Sequence, residues 1–435
     1  MVEILRIITE DNKILLGLLP PEQFAGGDFY IISSFGNSGL VETGDGLVLF
    51  DIGLRQYGRN LLKRIRSVSN SQIKYIIYSH GHFDHCFGYK HIVAEINENG
   101  WEMPEIIAHE NCIKRFEKYK MLDKYHKWLN AQQFASIIKD TDKILDVNTL
   151  NPTIIIKDNE PYFFKLGKYS FEIYPENGET DDAIWMFCPE KKVAFTGDLM
   201  ISSYPNVGNP FKVQRYPKDW AEALEKIADK NPEFLLPGHG KLIEGKDKIK
   251  NICLITAEAL HFVHDEVVKR LNQGKWFEEI YHEMLKIYPD KFKNHPYLQP
   301  VYGCYQFAIH SVYRLYHGWY DTGNPTDLFP AKRNDIAKEI ISAMGSGSEE
   351  QFLKHAIELE KENKHQLALH ILDIIIDSQT TNNLVLLNAY KLKQQILKYL
   401  AKKEQSFIVK NILYNGARQI GSVIKHLLDD KANSD

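Results

Sequence analysis

The amino-acid sequence predicts an α/β protein in which two mixed sheets pack face to face between outer helices, followed by an all-helical region. Between Phe29 and Glu179, short β-rich runs with glycine turns dominate, and helical segments predicted over 111–122 and 130–138 interrupt them. After Gly240 the sequence changes to long amphipathic stretches with few strand signals. This order favours a sandwich whose loops meet at one edge, and that edge is the expected place for a functional site.

The first strands are predicted as a hairpin over 39–51. Two apolar runs flank Asp45-Gly46, a dipeptide that is typical of the tight turn between paired strands. Two later runs, 193–197 and 234–238, are predicted to be buried strands that end in glycine turns. Each of these strands is expected to deliver the residue after its turn to the carboxyl edge of the sheet.

The most informative segment directly follows the apolar run 75–78. It contains four metal-ligand side chains within six positions, namely His80, His82, Asp84 and His85. On a strand-to-loop turn, the first two histidines can share one ion while the carboxylate and the last histidine turn toward a second. The spacing therefore favours a dinuclear metal site over a solvated histidine-rich loop.

A dinuclear site needs further ligands, and two occur where strands are predicted to end. Asp198 closes the run 193–198, where its carboxylate is able to bridge two metals. His239 follows 234–238 in the same way. Together these segments predict ligands from three separate strand ends.

With these residues, the sequence resembles the metallo-β-lactamase fold superfamily, whose fold is an αββα sandwich. That superfamily usually has Gly-His-Thr where this chain has Gly178-Glu179-Thr180. A carboxylate oxygen binds zinc at about the same distance as an imidazole nitrogen, so Glu179 is expected to be the remaining ligand of the first metal. The alkylsulfatase branch of the superfamily has Glu at this place.

Two further segments resemble the alkylsulfatase branch. Residues 297–303 and 313–325 are similar to the helix and the Gly-Trp-Phe-Asp-x-Asn-Pro turn that follow its catalytic domain. The resemblance implies a catalytic domain over 1–250, a helical extension over 251–345 and a repeat-like dimerisation domain over 346–435. A homodimer is therefore expected, and the branch's C-terminal lipid-carrier-like domain is expected to be absent.

Within the dimerisation domain, three helices are predicted to begin near Glu350, His365 and Asn383, after a short hinge at 345–348. Their lengths and spacing resemble helix-hairpin repeats of the tetratricopeptide type. A plain helical cap without a partner is the alternative interpretation.

The resemblance also implies how the ligands are shared. One metal is expected on His80, His82 and Glu179, the other on Asp84, His85 and His239, with Asp198 between them. Two zinc ions per chain are implied, with manganese or iron left open. Such metals lower the pKa of a bridging water toward neutrality, and Asp84 is expected to be catalytic as well, because it can orient this nucleophile.

The segment after Asp198 departs from the branch. Alkylsulfatases typically have Glu in an Ala-Glu-Asn context here, followed by polar residues that help to hold the sulfate, and most of these are missing. Partial compensation is expected from Lys212 and Arg215 as substrate-binding residues. Arg215 opens a run similar to the branch's Arg-Asp-Pro-x-x-Trp, and an arginine suits an anionic oxyacid.

The implied function is a zinc-dependent hydrolase that cleaves an alkyl sulfate ester into an alcohol and sulfate. Because the sulfate-side residues are altered, a metallo-hydrolase of another ester, a thioester or a lactone is the alternative. A flavin-partnered di-iron oxidoreductase fits less well, since no flavodoxin-like region follows. A non-catalytic interaction protein would require lost ligands, and none is visibly lost.

Composition limits the partners and the compartment. A formal net charge of −4 argues against a general nucleic-acid-binding surface. The resemblance to the alkylsulfatase branch implies a small, anionic ester substrate instead. The five cysteines have no Cys-x-x-Cys spacing, which favours reduced thiols and a cytoplasmic location. No signal peptide and no membrane span are predicted.

Overall fold

A computed structural model of the protein describes residues 19–134 and 147–432. The described chain falls into two compact units. The first holds the described residues up to Leu129 and those from 147 to Asp321, and the second holds 130–134 together with the residues from Thr322 onward. The domain borders at 250 and 345 stay a prediction.

The first sheet of the first unit contains seven described strands in sequence order. They are β1 (Glu22–Phe24), β2 (Phe29–Ile32), β3 (Ser38–Glu42), β4 (Leu47–Phe50), β5 (Ile73–Ile77), β6 (Glu105–His109) and β7 (Ile154–Ile156). Pairing is antiparallel from β1 to β4 and parallel from β4 to β7. The β3–β4 pair, which turns at Asp45-Gly46, confirms the predicted opening hairpin.

The second sheet contains six described strands in the order β13-β12-β11-β10-β9-β8. They are β8 (Tyr162–Leu166), β9 (Tyr169–Glu176), β10 (Ala183–Cys188), β11 (Val193–Ile201), β12 (Phe234–His239) and β13 (Ile243–Glu244). The β11–β12 pair is parallel and its register shifts after Phe195 and again after Gly197. These shifts fall beside Asp198, where the strands supply candidate ligands.

Aromatic side chains fill the space between the two sheets. Phe195 of β11 lies 5.5 Å from the ring of Phe50 and 6.3 Å from that of Phe29, measured between centroids. A β-carbon on Gly39 would come within 2.5 Å of the Phe195 ring, so glycine is needed on β3 for the sheets to approach. The buried apolar core therefore joins the sheets directly.

Helices cover both outer faces of this sandwich. In the first unit they are α1 (Gly58–Arg66), α2 (Phe83–Cys86), α3 (Lys90–Asn99), α4 (Glu110–Met121), α5 (Asp123–Gln133, which crosses into the second unit), α6 (Pro217–Asp229), α7 (Lys246–Leu271), α8 (Phe277–Ile287), α9 (Asp290–Lys293) and α10 (Tyr305–Tyr316). Leu61, Ile92 and Phe116 pack α1, α3 and α4 on the first sheet. Trp220 and Leu260 belong to the core that packs α6 and α7 on the second. The predicted αββα sandwich is confirmed.

One predicted helix begins earlier than expected. The sequence indicated a helix over 130–138, whereas the structure has α5 from Asp123 to Gln133. Residues 135–138 lie outside the described part of the chain. The predicted helix over 111–122 is confirmed by α4.

Helices joined by short loops make up the described part of the second unit. Its helices are α11 (Arg333–Met344), α12 (Ser348–Lys361), α13 (His365–Asp377), α14 (Asn383–Lys403) and α15 (Phe407–Ala432). The three predicted helix starts are confirmed by α12, α13 and α14. Small residues, Ala356, Ala368 and Ala389, are fully buried where these helices approach one another. Within residues 19–134 and 147–432, no helix combines the length and the apolar character needed to cross a membrane.

Candidate metal centre

The metal-ligand segment lies in the loop that leaves the end of β5 and enters the short helix α2. His80 and His82 face each other, with Nε2 of the first 2.8 Å from Nδ1 of the second. Glu179, in the loop between β9 and β10, and Asp198 on β11 offer oxygens to the same place. Ligand atoms of these four residues all lie within 4.8 Å of one another.

A second group of ligand atoms lies beside the first. Asp84, His85 and His239 place one ligand atom each within 4.8 Å of the others. Asp198 Oδ1 is 3.4 Å from His85 Nε2 and 3.3 Å from His239 Nε2. The same carboxylate has Oδ2 3.8 Å from His80 Nε2, so Asp198 lies between the two groups.

All seven predicted ligands are thus brought together, and their chemistry fits metal cations. His85 Nε2 and Asp198 Oδ1 are buried without a hydrogen-bond partner, although buried polar atoms are normally satisfied. The set offers four imidazoles and three carboxylates, and both groups are common ligands of zinc and of other divalent transition metals. A cation between these atoms would satisfy both.

Charges within the site balance each other in pairs. Burial alone would lower the pKa of His239, but the carboxylate of Asp198 raises it to about 9. Burial alone would also raise the pKa of Asp198, and His239 and His85 hold it well below its usual value. Burial lowers the pKa of His80 to about 3, which leaves that imidazole neutral and able to bind a metal.

Asp51 orients the loop from the end of β4. Its carboxylate accepts the backbone N–H and the hydroxyl of Ser79, both at 2.7 Å, and lies 2.8 Å from Nδ1 of His85. This contact leaves Nε2 of His85 to face the metal position. Asp51 has a positive φ of 59°, which turns the chain sharply at the strand end. Sequence reasoning missed this role, although the carboxylate at the end of a predicted strand was a usable signal.

A buried ion pair supports the turn between His80 and His82. Asp182 Oδ2 accepts the backbone N–H of Gly81 at 3.1 Å and Nε of Arg115 at 2.8 Å. Burial alone would raise the pKa of Asp182, and the guanidinium of Arg115 holds it below its usual value. A β-carbon on Gly81 would come within 2.9 Å of both partners, so a larger residue here would displace the ion pair. The sequence analysis identified neither charged residue.

Arg215 is buried against the carboxylate of Glu179. Its Nη1 donates to Glu179 Oε1 and, at 2.6 Å, to the backbone carbonyl of Asn206. The side chain of Asn206 donates to the same carboxylate oxygen at 3.3 Å. Burial raises the pKa of Glu179 to about 7 even though Arg215 opposes this shift. In the structure, the guanidinium therefore contacts a candidate metal ligand.

Lys212 is half-buried beside the same carboxylates. Burial, and then the charge of Arg215, lowers the pKa of its ammonium to about 8, while Glu179 and Asp84 act in the opposite direction. Among the described residues, no carboxylate lies within ion-pair distance of Nζ. The ammonium is thus available to an anionic group.

Cys86 is buried against the loop between β5 and α2 that carries metal ligands, which we call the metal loop. Its thiol is buried and donates to the backbone carbonyl of His82 at 3.1 Å. Burial raises the pKa of this thiol well above its usual value, so it stays protonated at neutral pH. It supports the loop in the structure.

Glycines bring β11, β12 and the metal loop into contact. Gly197 has a φ of 50°, and a β-carbon there would lie 2.4 Å from that of Ser79. A β-carbon on Gly238 would lie 2.0 Å from Oδ1 of Asp198. Gly197 and Gly238 directly precede the ligands Asp198 and His239. A larger residue at either position would push Ser79 or Asp198 out of place.

Two family models match the chain in sequence order. Residues 33–239 match the metallo-beta-lactamase superfamily. This range includes all seven candidate ligands. Residues 277–422 match the alkyl sulfatase dimerisation family. Metal binding is a feature that the first family implies, and the two groups of ligand atoms agree with it.

Several curated alkylsulfatases are similar in sequence. A linear primary-alkylsulfatase of Pseudomonas sp. (strain ATCC 19151) is 26% identical over 326 residues, which cover 70% of this chain and 60% of that protein. An (R)-specific secondary-alkylsulfatase of Pseudomonas sp. is 22% identical over 405 residues, which cover 88% of this chain and 60% of that protein. The chain thus spans about 60% of the length of these relatives.

The fold is also found in a solved structure. The stereoselective inverting sec-alkylsulfatase Pisa1 from Pseudomonas sp. superposes with a TM-score of 0.77 at 20% identity, over 90% of this chain and 64% of that one. This likeness includes both the sandwich and the helices that follow it. The chain therefore joins a metallo-β-lactamase superfamily domain to an alkyl sulfatase dimerisation domain.

Proposed function

We propose that this chain is a metal-dependent sulfuric ester hydrolase that cleaves an alkyl sulfate into an alcohol and sulfate. The observation that carries the proposal is the pair of adjacent ligand groups with Asp198 between them. The chain that holds them matches both the metallo-beta-lactamase superfamily and the alkyl sulfatase dimerisation family. Similarity to primary and secondary alkylsulfatases supports the substrate class.

Two zinc ions are the proposed cofactors. His80, His82 and Glu179 would hold one, Asp84, His85 and His239 the other, and Asp198 would contact both. Bound zinc supplies Lewis acidity and lowers the pKa of water to about 7, so that a nucleophile exists at neutral pH. Manganese and iron bind similar ligands, so the choice of zinc is itself proposed and is tested by metal analysis.

The chain's own residues then have three tasks. Asp84 lies at the edge of the ligand set, with Oδ2 3.4 Å from His239 Nε2, and is proposed to orient the attacking water as well as to bind metal. Lys212 is proposed to bind the anionic sulfate, because its ammonium is half-buried and has no carboxylate partner among the described residues. Arg215 is proposed to position Glu179, to which it donates a hydrogen bond, and its direct contact with substrate stays a prediction.

The experiment combines metal analysis with sulfate release. The purified protein is expected to contain about two zinc ions per chain and to release sulfate from octyl sulfate. Glu179→Ala is expected to lose the metal of the first group and the activity with it. Glu160→Ala, an exposed carboxylate away from the site, is the matched control and should keep both.

The same measurements separate the alternative functions. Two zinc ions without sulfate release would reject the sulfatase and direct the search to thioesters and lactones. Bound iron with redox activity would favour an oxidoreductase. Sulfate release that survives Glu179→Ala would reject the proposed ligand set.

We also propose a homodimer formed through the second unit. The matched dimerisation family supports it, and so do large apolar side chains on its surface, since Leu367 is 54% and Leu384 is 61% exposed. Light scattering of the purified chain is expected to give about twice the monomer mass of 50.4 kDa. A monomer at micromolar concentration would contradict this assembly.

A further inference from the structure

One face of α4 is joined to the metal loop and carries two cations. Asp182 accepts the backbone N–H of Gly81 at 3.1 Å and Nε of Arg115 at 2.8 Å, so the loop and α4 share one carboxylate. Lys118 follows Arg115 by three positions, and residues at this spacing lie on the same face of a helix. Lys118 therefore belongs to the side of α4 that adjoins the ligands.

Helix α5 contacts both α4 and the segment 211–213. The imidazole of His126 meets the ring of Tyr119 on α4 edge-on, with 4.7 Å between centroids. Two positions later, Trp128 meets the ring of Phe211 edge-on at 6.3 Å. Each of the two contacted rings has a half-buried lysine as its neighbour in sequence, namely Lys118 and Lys212.

The two ammonium groups act on the same imidazole. Burial, and then the charges of Lys212 and Lys118, lowers the pKa of His126 to about 4. Burial and the charge of Arg115 lower the pKa of Lys118. Burial and the charge of Arg215 lower that of Lys212 to about 8. A cluster of cations thus surrounds a neutral imidazole beside the ligand groups.

The two lysines of this cluster lack carboxylate partners. Among the described residues, no carboxylate lies within ion-pair distance of Nζ of Lys118 or Lys212. Arg115 differs, because it is paired with both Asp181 and Asp182. Neighbouring cations without a counter-charge disfavour each other's charged form, and a bound anion would remove this cost.

We propose that Lys118 belongs to a second anion subsite beside the sulfate position at Lys212, and that the substrate carries a carboxylate as well as its sulfate ester. This inference rests on the proposed function and narrows the substrate to sulfate esters of short hydroxy acids. One sulfate ester brings a single negative charge, which Lys212 matches, and a carboxylate would match the second lysine. Because both lysines act on one imidazole, only a few carbon atoms separate the two anionic groups.

The test compares sulfate release from two esters of equal carbon number, the sulfate monoester of γ-hydroxybutyrate and butyl sulfate. In the parent chain, kcat/KM is expected to be about tenfold higher for the ester that carries the carboxylate. In Lys118→Gln this ratio is expected to fall to about one. Lys120→Gln is the matched control, because Lys120 is exposed and lies two positions farther along α4, on another face. It should keep the parent ratio.

The outcomes separate this inference from the proposed function. A parent without the preference, or a preference that survives Lys118→Gln, would overturn the second subsite while sulfate release still supported the hydrolase. If neither ester released sulfate, the hydrolase would be rejected, and calorimetry would decide the subsite alone. Its ligands are butane disulfonate, with one sulfonate at each end, and butyl sulfonate. Tighter binding of the disulfonate in the parent but not in Lys118→Gln would support the subsite, and equal binding would overturn it.

Discussion

The guanidinium of Arg215 determines the charge that Glu179 presents to the first ligand group. With Arg215 in place, burial already raises the pKa of Glu179 to about 7. Arg215→Gln removes the opposing positive charge, so the carboxyl will retain its proton to higher pH and compete with the metal. We expect metal affinity at the first group to fall about 10- to 100-fold, measured by competition with a chromophoric chelator at pH 7.

Lys218→Gln provides the control for that measurement. Lys218 is an exposed cation on α6, and its Nζ lies 3.9 Å from Oε1 of Glu222. This variant removes the same charge from the chain without touching the ligands, so its metal affinity should equal that of the parent. Equal affinities in both variants would show that Arg215 has no part in holding Glu179.

Asp51 has the corresponding role for the second ligand group. Asp51→Asn keeps the size of the side chain, and asparagine tolerates the positive φ at this position. It removes the charge that faces Nδ1 of His85, so we expect second-site affinity to fall about 10- to 100-fold. The metal content after dialysis against a weak chelator is the readout. Asp45→Asn, exposed in the turn of the same hairpin, should keep the parent content.

At the scale of elements, the site depends on how closely β11 and β12 approach. The added methyl group of Gly238→Ala would overlap Oδ1 of Asp198 and the backbone of Gly197. We expect a loss of about 1–3 kcal/mol in unfolding free energy from overpacking, together with loss of bound metal. Urea unfolding and elemental analysis measure the two effects on the same sample.

Gly44→Ala separates steric displacement from backbone strain. Gly44 has a φ of 96° in the hairpin turn, and a β-carbon there has nothing within 4 Å. Alanine at this position is expected to cost about 1–2 kcal/mol because it disfavours a left-handed backbone, while the metal content stays at the parent value. If both alanine variants lost metal equally, the contact between Gly238 and Asp198 would not explain the effect.

Local patterns predicted the elements and ligands, whereas the supporting contacts come from distant parts of the chain. The four ligands that follow β5 were recognisable because they occur within six positions. Arg115 and Asp182 are 67 positions apart, and Asp182 is 101 positions from Gly81, whose N–H it accepts. Neither residue carries a local motif, so only the folded chain brings these groups into contact. The contact of Arg215 with Glu179 spans 36 positions and could not be read from a local pattern either, while the expected contact of Arg215 with substrate stays a prediction.

At the scale of the whole molecule, every candidate ligand belongs to the first unit. Metal that binds only the folded state stabilises it by about 2.7 kcal/mol when its free concentration is 100 times the dissociation constant. Removing it with a chelator should therefore open the contacts that the ligands hold. We expect faster amide exchange over 78–86 and 196–203, measured by hydrogen–deuterium exchange and mass spectrometry. The helices α12 to α14 supply no ligand and should exchange as before.

Glu179→Ala tests whether this change comes from the proposed groups. Without the carboxylate, the first group cannot hold its metal, so chelator should produce a smaller change over 78–86 than in the parent. The amide of Ile184 is a useful reporter, because it donates to the carbonyl of Ser79 at 2.7 Å and so ties β10 to the metal loop. If its protection were the same with and without chelator in the parent, metal binding and the order of the loop would be independent. Exchange that rose equally in both units would indicate global unfolding instead, because a local metal centre protects only the segments that surround it.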